Sequence, residues 1–219
     1  MAHVDFYFDF ISPYAYFAWC QIRDICRRND ATLTVHPILF AAVLEHFGQL
    51  GPAEIPAKRV ATFKDIARFA ALKGIPLEGP ATHPFNPLTA LRSCQVSVAG
   101  DRQHDAIDAI YLAGWGNGAD LGDPKAIEAA LSQMGMEGQE MVAKTRDPAI
   151  KAELFEATKA AIERGVFGVP TMFVGDEVFW GNDRLHYVEL ALQGRDPLPP
   201  NVDSFLSRPA GATRPGSKR

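Results

Sequence analysis

The sequence predicts an α/β protein whose sheet is interrupted by a long all-helical insertion. Three observations carry that reading. The first forty residues read strand–helix–strand, no convincing strand pattern occurs between residues 41 and 149, and a short hairpin with a closing helix lies within residues 150–203. The expected organisation is a discontinuous α/β domain (residues 1–40 and 150–203), an inserted helical domain (residues 41–149), and a tail (residues 204–219) whose Pro, Gly, Ser and basic content predicts disorder.

Residues 4–10, VDFYFDF, are a β-prone run that stops at Ser12-Pro13. Pro13 suits the first helical position, where its missing N–H costs nothing and its fixed φ matches the helix. That helix runs to Arg28 with Phe17, Ile22 and Ile25 on an apolar side, and Asn29-Asp30 ends it. "TLTVHPILF" is a second strand, alternating through Leu33 and Val35. Two strands joined by such a helix are expected to be parallel, with a right-handed crossover. Within the insertion, helices are predicted over 57–73, 87–99, 103–114, 124–134 and 148–164, divided by Gly, Pro or Asn. "PTMFV" and "EVFW" flank a Gly175-Asp176 turn as a hairpin, with Trp180 read as core. "RLHYVELALQ" closes the chain with Leu185, Val188 and Leu192 on one face. Without its insertion, this order is the thioredoxin arrangement.

Composition excludes several function classes. Among 219 residues, 47% are hydrophobic and 22% charged, ordinary for a chain that buries a sizeable core. Net charge is −4 with no basic cluster in the folded part, which argues against nucleic acid. No run approaches the length of a membrane span, and Asp5 and Asp9 break up the N-terminal apolar run, so no signal peptide is expected. Cys20 and Cys26 lie about 240° apart around one helix. With Cys94 they form no C-x-x-C, so free thiols in a reducing cytoplasm are expected. No H-E-x-x-H or Cys/His cluster predicts a metal. "GWGNGAD" (114–120) follows a helix rather than a strand, so it reads as a helix-ending loop and not a phosphate loop.

Ser12 admits two readings. It is an ordinary N-cap, or its hydroxyl serves an anion drawn to the unpaired N–H groups and positive dipole end of the helix. A serine nucleophile is disfavoured, because the surroundings are not G-x-S-x-G and nothing places a histidine beside it. "FGVPT" puts Pro170 at a strand start. A cis Val169–Pro170 bond there would leave the Val169 backbone free to pair with an extended peptide. Asn182 or Asp183 in "WGNDRL" is an N-cap, or part of a zwitterion site in which N–H groups meet a carboxylate and Asp183 meets an ammonium.

Together, the strand–SPY–helix start, the helical insertion, "VFGVPTMFVGDEVFWGNDRL" and the closing helix resemble the 2-hydroxychromene-2-carboxylate isomerases. These belong with kappa-class glutathione transferases in the DsbA-like branch of the thioredoxin superfamily. Redox members of that superfamily open the first helix with C-x-x-C, whereas these positions read Ser12-Pro13-Tyr14-Ala15, which excludes dithiol exchange there. The resemblance implies that glutathione supplies the sulfur as cofactor and that Ser12 hydrogen-bonds its thiol, favouring the thiolate. It further implies that Val169, before Pro170, pairs with the cysteinyl part, and that Asn182 and Asp183 hold the γ-glutamyl head. Lys58 in "IPAKR" matches a lysine near the glycyl carboxylate; its alternative is a solvated helix charge. Pro13, Gln49 in "GQLGP", where relatives are expected to carry asparagine, and Asn86 in "HPFNPLTALR" are assigned to the substrate end. Asn86 has helix capping as its alternative. The implied reaction interconverts 2-hydroxychromene-2-carboxylate and trans-o-hydroxybenzylidenepyruvate in aromatic catabolism, in a cytoplasmic homodimer acting on a small aromatic carboxylate. A kappa-like transferase that conjugates electrophiles, and a non-catalytic peptide-binding module using the Val169 edge, are the competing functions.

Overall fold

The computed structural model describes residues 2–209 and residue 211. Strand β1 (His3–Phe8) leads into helix α1 (Pro13–Arg28), then β2 (Thr32–Pro37) and α2 (Phe40–His46). The insertion contains α3 (Pro56–Lys73), α4 (Leu88–Ser93), α5 (Val96–Ala99), α6 (Gln103–Tyr111), α7 (Pro124–Gln133) and α8 (Gly138–Lys144). Helix α9 (Pro148–Glu163) returns the chain to β3 (Thr171–Val174), β4 (Glu177–Trp180), α10 (Leu185–Leu192) and the short α11 (Asp203–Leu206). The sheet order is β2-β1-β3-β4, with β1 parallel to β2 and antiparallel to β3, and β3 antiparallel to β4. This is the thioredoxin-like sheet, with a helical block between β2 and β3.

Strand alternation builds two layers on β1. Val4, Phe6 and Phe8 face α1 and α10, in a core with Phe17, Ile22, Leu185 and Val188. Tyr7 points the other way, with Phe173, Ile38, Val43 and Ala161 under α2 and α9. Arg164, at the end of α9, donates from Nη1 to Asp5 Oδ2 (2.8 Å) and to the Tyr7 hydroxyl (2.9 Å). Burial resists ionisation of Asp5, but hydrogen bonds from His36, Arg164 and His3 outweigh it and bring its carboxyl down to about 2.

The structure departs from the sequence reading at several points. The helix expected over 87–99 breaks at Cys94-Gln95 into α4 and α5. The helix expected over 103–114 keeps regular geometry only to Tyr111 and then widens into a π turn, Leu112–Gly116. Helices α2 and α8 have seven residues each, too short to show a 3.6-residue period, and Gly135 and Gly138 read as breakers around α8. At the start of the tail predicted to be disordered, residues 204–206 continue α11 from Asp203, one exposed helical turn closed by local bonds such as Phe205 N to Val202 O (2.8 Å). Composition does not register a single turn. Residues 210 and 212–219 of that tail lie outside the described residues. Among the described residues no helix is long and apolar enough to cross a membrane, and Cys20, Cys26 and Cys94 are free thiols.

Candidate active site

The site begins with the loop from β1 to α1. Its backbone is held by three side chains of the helical insertion, each donating to one of three successive carbonyls. The Tyr111 hydroxyl reaches Asp9 O (3.3 Å), Trp115 Nε1 reaches Phe10 O (2.7 Å), and His83 Nε2 reaches Ile11 O (2.9 Å). Because a carbonyl only accepts, the His83 proton is on Nε2; its buried Nδ1 carries the lone pair and has no partner among the described residues. Burial lowers the His83 pKa, which keeps the ring neutral. The Asp9 carboxylate ties the same loop together from inside, accepting from Ile11 N (3.0 Å) and from Phe40 N at the start of α2 (2.9 Å). Asp9 is fully buried, and desolvation outweighs both N–H bonds, pushing its carboxyl up to about 7.

Ser12 follows as the N-cap of α1, with Pro13 at the first helical position. Its Oγ accepts from Ala15 N (3.2 Å) and donates to Val169 O at 3.4 Å, a long and therefore weak bond. The capping role read from the sequence is thus present, and the hydroxyl proton points across the cleft. Among the described residues, the N–H groups of Tyr14, in the first turn of α1, and of Val169, whose carbonyl accepts from Ser12, have no protein acceptor. No imidazole hydrogen-bonds Ser12 Oγ among the described residues, leaving the serine without a base.

The Val169–Pro170 bond is cis. The loop before it sits under Trp180, and a Cβ on Gly168 would lie 2.4 Å from the indole Nε1, so any larger residue would displace the Trp180 ring. Trp180 itself is 53% exposed and meets Phe167 edge-on at 5.1 Å. The core placement read from the sequence is therefore wrong: β4 is an edge strand and Trp180 lies on its open face. Gly181 N bonds Pro170 O (2.9 Å), and Gly181, at φ +102°, turns the chain into a 3₁₀ turn, Asn182–Arg184. Asn182 is buried there, while Asp183 is exposed and pairs with Arg184. Neither residue makes a side-chain cap, because Gly181 and Arg184 occupy the capping positions of this turn and of α10.

Helix α3 forms the facing wall. The Tyr14 hydroxyl donates to Asp65 Oδ2 (2.9 Å). Burial, then Asp65, and more weakly Asp183 push that hydroxyl up to about 12. Lys58, Thr62 and Asp65 stand at i, i+4 and i+7, one stripe of α3, with Lys58 about 10 Å along the axis from Asp65. Gln49 lies in the exposed loop after α2, its N–H on Leu44 O (2.9 Å). Asn86 is exposed, and its Oδ1 accepts from Leu88 N (3.1 Å), an Asx-type turn one residue before the cap position of α4, which Pro87 occupies without a side-chain bond.

The structure thus brings Ser12, Pro13, Val169, Pro170 and Asn182 to one end of the sheet and sets Lys58 on the α3 wall. Among the described residues, neither Gln49 nor Asn86 hydrogen-bonds that loop. Sequence reasoning missed Tyr14, Asp65, Asp9 and the Tyr111–Trp115–His83 clamp. Only Asp9 carried a signal: a carboxylate inside an apolar strand run, three residues before Ser12. A larger cavity, about 710 Å³ between α2, α4 and α9, is lined by none of the residues singled out from the sequence.

A family model described as a DSBA-like thioredoxin domain matches residues 3–193. A 2-hydroxychromene-2-carboxylate isomerase of Sphingobium xenophagum is 35% identical over 190 residues, covering 85% of this chain and 95% of the relative. The glutathione S-transferase kappa 1 of Caenorhabditis elegans is 26% identical over 213 residues, 91% of this chain and 94% of that protein. The solved structure of a selenomethionine 2-hydroxychromene-2-carboxylate isomerase superposes with a TM-score of 0.79 at 33% identity, covering 94% of this chain and all of that one.

Proposed function

The chain belongs to the DSBA-like thioredoxin domain family and, within it, to the 2-hydroxychromene-2-carboxylate isomerases; on that premise we propose that it is a glutathione-dependent isomerase. It interconverts 2-hydroxychromene-2-carboxylate and trans-o-hydroxybenzylidenepyruvate. The observation that carries the reading is the Ser12 hydroxyl, weakly bonded to Val169 O at the head of a 16-residue helix, with the Tyr14 and Val169 N–H groups unpaired among the described residues. Such a place favours an anion it does not itself contain.

Each residue then has a task. Ser12 Oγ–H leaves the long bond to Val169 O and donates to the thiolate, with the N–H of Tyr14 and the α1 dipole adding to its stabilisation. The Val169 N–H and C=O, set by Pro170, pair with the cysteinyl backbone of glutathione. Asn182 and Asp183 hold the γ-glutamyl head, and Lys58 faces the glycyl carboxylate. Pro13, Gln49 and Asn86 belong to the substrate end. When bound, glutathione supplies the sulfur nucleophile that adds to, and later leaves, the conjugated double bond of the ring-opened substrate, so that the bond rotates while single. Tyr111, Trp115, His83 and Asp9 keep the loop rigid, so the site needs little reorganisation.

The kappa transferase relative favours one second reading, conjugation of an electrophile with retention of the product. Absorbance-followed conversion of 2-hydroxychromene-2-carboxylate, with and without glutathione, separates the two. Rapid conversion that requires glutathione and leaves no conjugate supports the isomerase, an accumulating conjugate supports the transferase, and glutathione-independent conversion overturns both. A place in cytoplasmic aromatic catabolism accords with the free thiols. The homodimer belongs to the same proposal and is tested by light scattering.

A further inference from the structure

We propose that the cavity of about 710 Å³ between α2, α4 and α9 is a binding site for an extended monocarboxylate, with Arg92 receiving the carboxylate and an apolar wall receiving the chain. None of the residues placed around Ser12 lines it, so the proposal goes beyond the glutathione-dependent reaction and stands without it. Helix α9 supplies one stripe from Lys151 to Glu163, spaced at i, i+3, i+4, i+7, i+8, i+11 and i+12, about 18 Å along its axis. Leu154 and Thr158 in that stripe are buried, whereas Phe155 beside them is 67% exposed. Thr158 Oγ1 accepts from Leu39 N (3.0 Å), which seats the start of α2 against the middle of α9. Leu88, one turn before Arg92 on α4, closes the third side. The result is an elongated groove with Leu39, Leu88, Leu154, Phe155 and Ile162 as its walls, within the roughly 300–1,000 Å³ of small-molecule sites.

Arg92 sets the chemistry of the ligand. Its Nε is buried and has no hydrogen-bond partner among the described residues, and burial alone lowers the guanidinium pKa, with no carboxylate offsetting it. An unpaired, partly buried guanidinium costs stability, and a carboxylate in the cavity would accept from its planar fork and offset that cost. Lys151 adds a second cation to the lining, whereas Lys159 lies 4.0 Å from Glu163, its partner on α9. Glu45 and Glu163 repel a ligand of high negative charge, such as a phosphate ester or a dicarboxylate, so a single carboxylate fits the balance. The apolar wall follows the length of α9, which favours an extended hydrocarbon body over a compact polar one.

The test uses the full chain with decanoate below its micelle-forming concentration, decanol as the neutral counterpart and octanoate as the shorter acid. Calorimetry should show decanoate binding the wild type, and octanoate binding about tenfold more weakly for the methylenes it lacks. Arg92→Met keeps the apolar stem and should weaken decanoate about tenfold or more while leaving decanol unchanged, and Arg92→Lys should recover part of the loss. Phe155→Ala, at an exposed position, should weaken decanoate and decanol alike. Glutathione affinity and turnover should hold in every variant. Without ligand, Arg92→Met should unfold at the same urea concentration as the wild type or a higher one. Equal decanoate binding by the wild type and a folded Arg92→Met overturns the proposal. A lower unfolding midpoint in ligand-free Arg92→Met overturns it as well, because the guanidinium would then serve the fold. So does a wild type that binds decanoate only after dilution has separated the copies seen by light scattering, which would assign the groove to a second copy of the chain.

Discussion

Asp9 gives this protein a measurable dependence of stability on pH. Full burial raises its carboxyl from 3.8 to about 7. Between about pH 4 and pH 7 the folded chain therefore holds a proton that the unfolded chain has released, so stability falls as pH rises through this window and levels off above it. At 1.36 kcal/mol per pH unit the whole displacement is worth about 4 kcal/mol, of which about 3 kcal/mol falls between about pH 5 and pH 8. Other groups titrate nearby with the opposite sign. His83 and His104 are lowered by burial, so they add stability as pH rises below 6.5, and Asp5, brought down to about 2, acts only in stronger acid. Asp9→Asn keeps those contributions and removes only the carboxyl. The amide leaves either Ile11 N or Phe40 N without an acceptor, a cost of about 1–3 kcal/mol that does not vary with pH. Urea unfolding of both proteins across this range should show the wild type losing about 3 kcal/mol relative to Asp9→Asn by about pH 8. Parallel stability curves would refute the reasoning, because they would mean that no proton is taken up at Asp9.

Three further outcomes are expected. Ser12→Ala should raise the thiol pKa of bound glutathione by about one pH unit, roughly 1.4 kcal/mol of thiolate stabilisation, and reduce turnover accordingly; ultraviolet titration of the thiolate measures it, and an unchanged pKa counts against the proposed role. Trp115→Phe preserves the buried ring but leaves Phe10 O without its donor, and should lower unfolding free energy by about 1–3 kcal/mol in chemical denaturation. Asp65→Asn removes the charge that opposes ionisation of Tyr14, so the tyrosinate should form at lower pH than in the wild type, read from absorbance in alkaline titration.

What the sequence determined by itself was local. Pro13 at the helix start, Ser12 as its cap and the hairpin about Gly175-Asp176 each rest on a few adjacent residues whose backbone preferences agree, so the pattern showed them. The missing sulfurs at Ser12-Pro13-Tyr14-Ala15 were equally plain, and with them the exclusion of dithiol exchange at that helix start. Tertiary structure decided which side chains surround that start. His83, Tyr111 and Trp115 reach the loop carbonyls from 72, 102 and 105 residues away, and Asp65 reaches Tyr14 from 51. Nothing in their own neighbourhoods distinguishes these residues from ordinary core aromatics or surface charges. Trp180 shows the same limit in reverse: an aromatic at a strand end reads as core, yet the edge position of β4 leaves it open. A helix start needs only its own residues, whereas a hydrogen bond between distant segments exists only once the insertion has packed against the sheet.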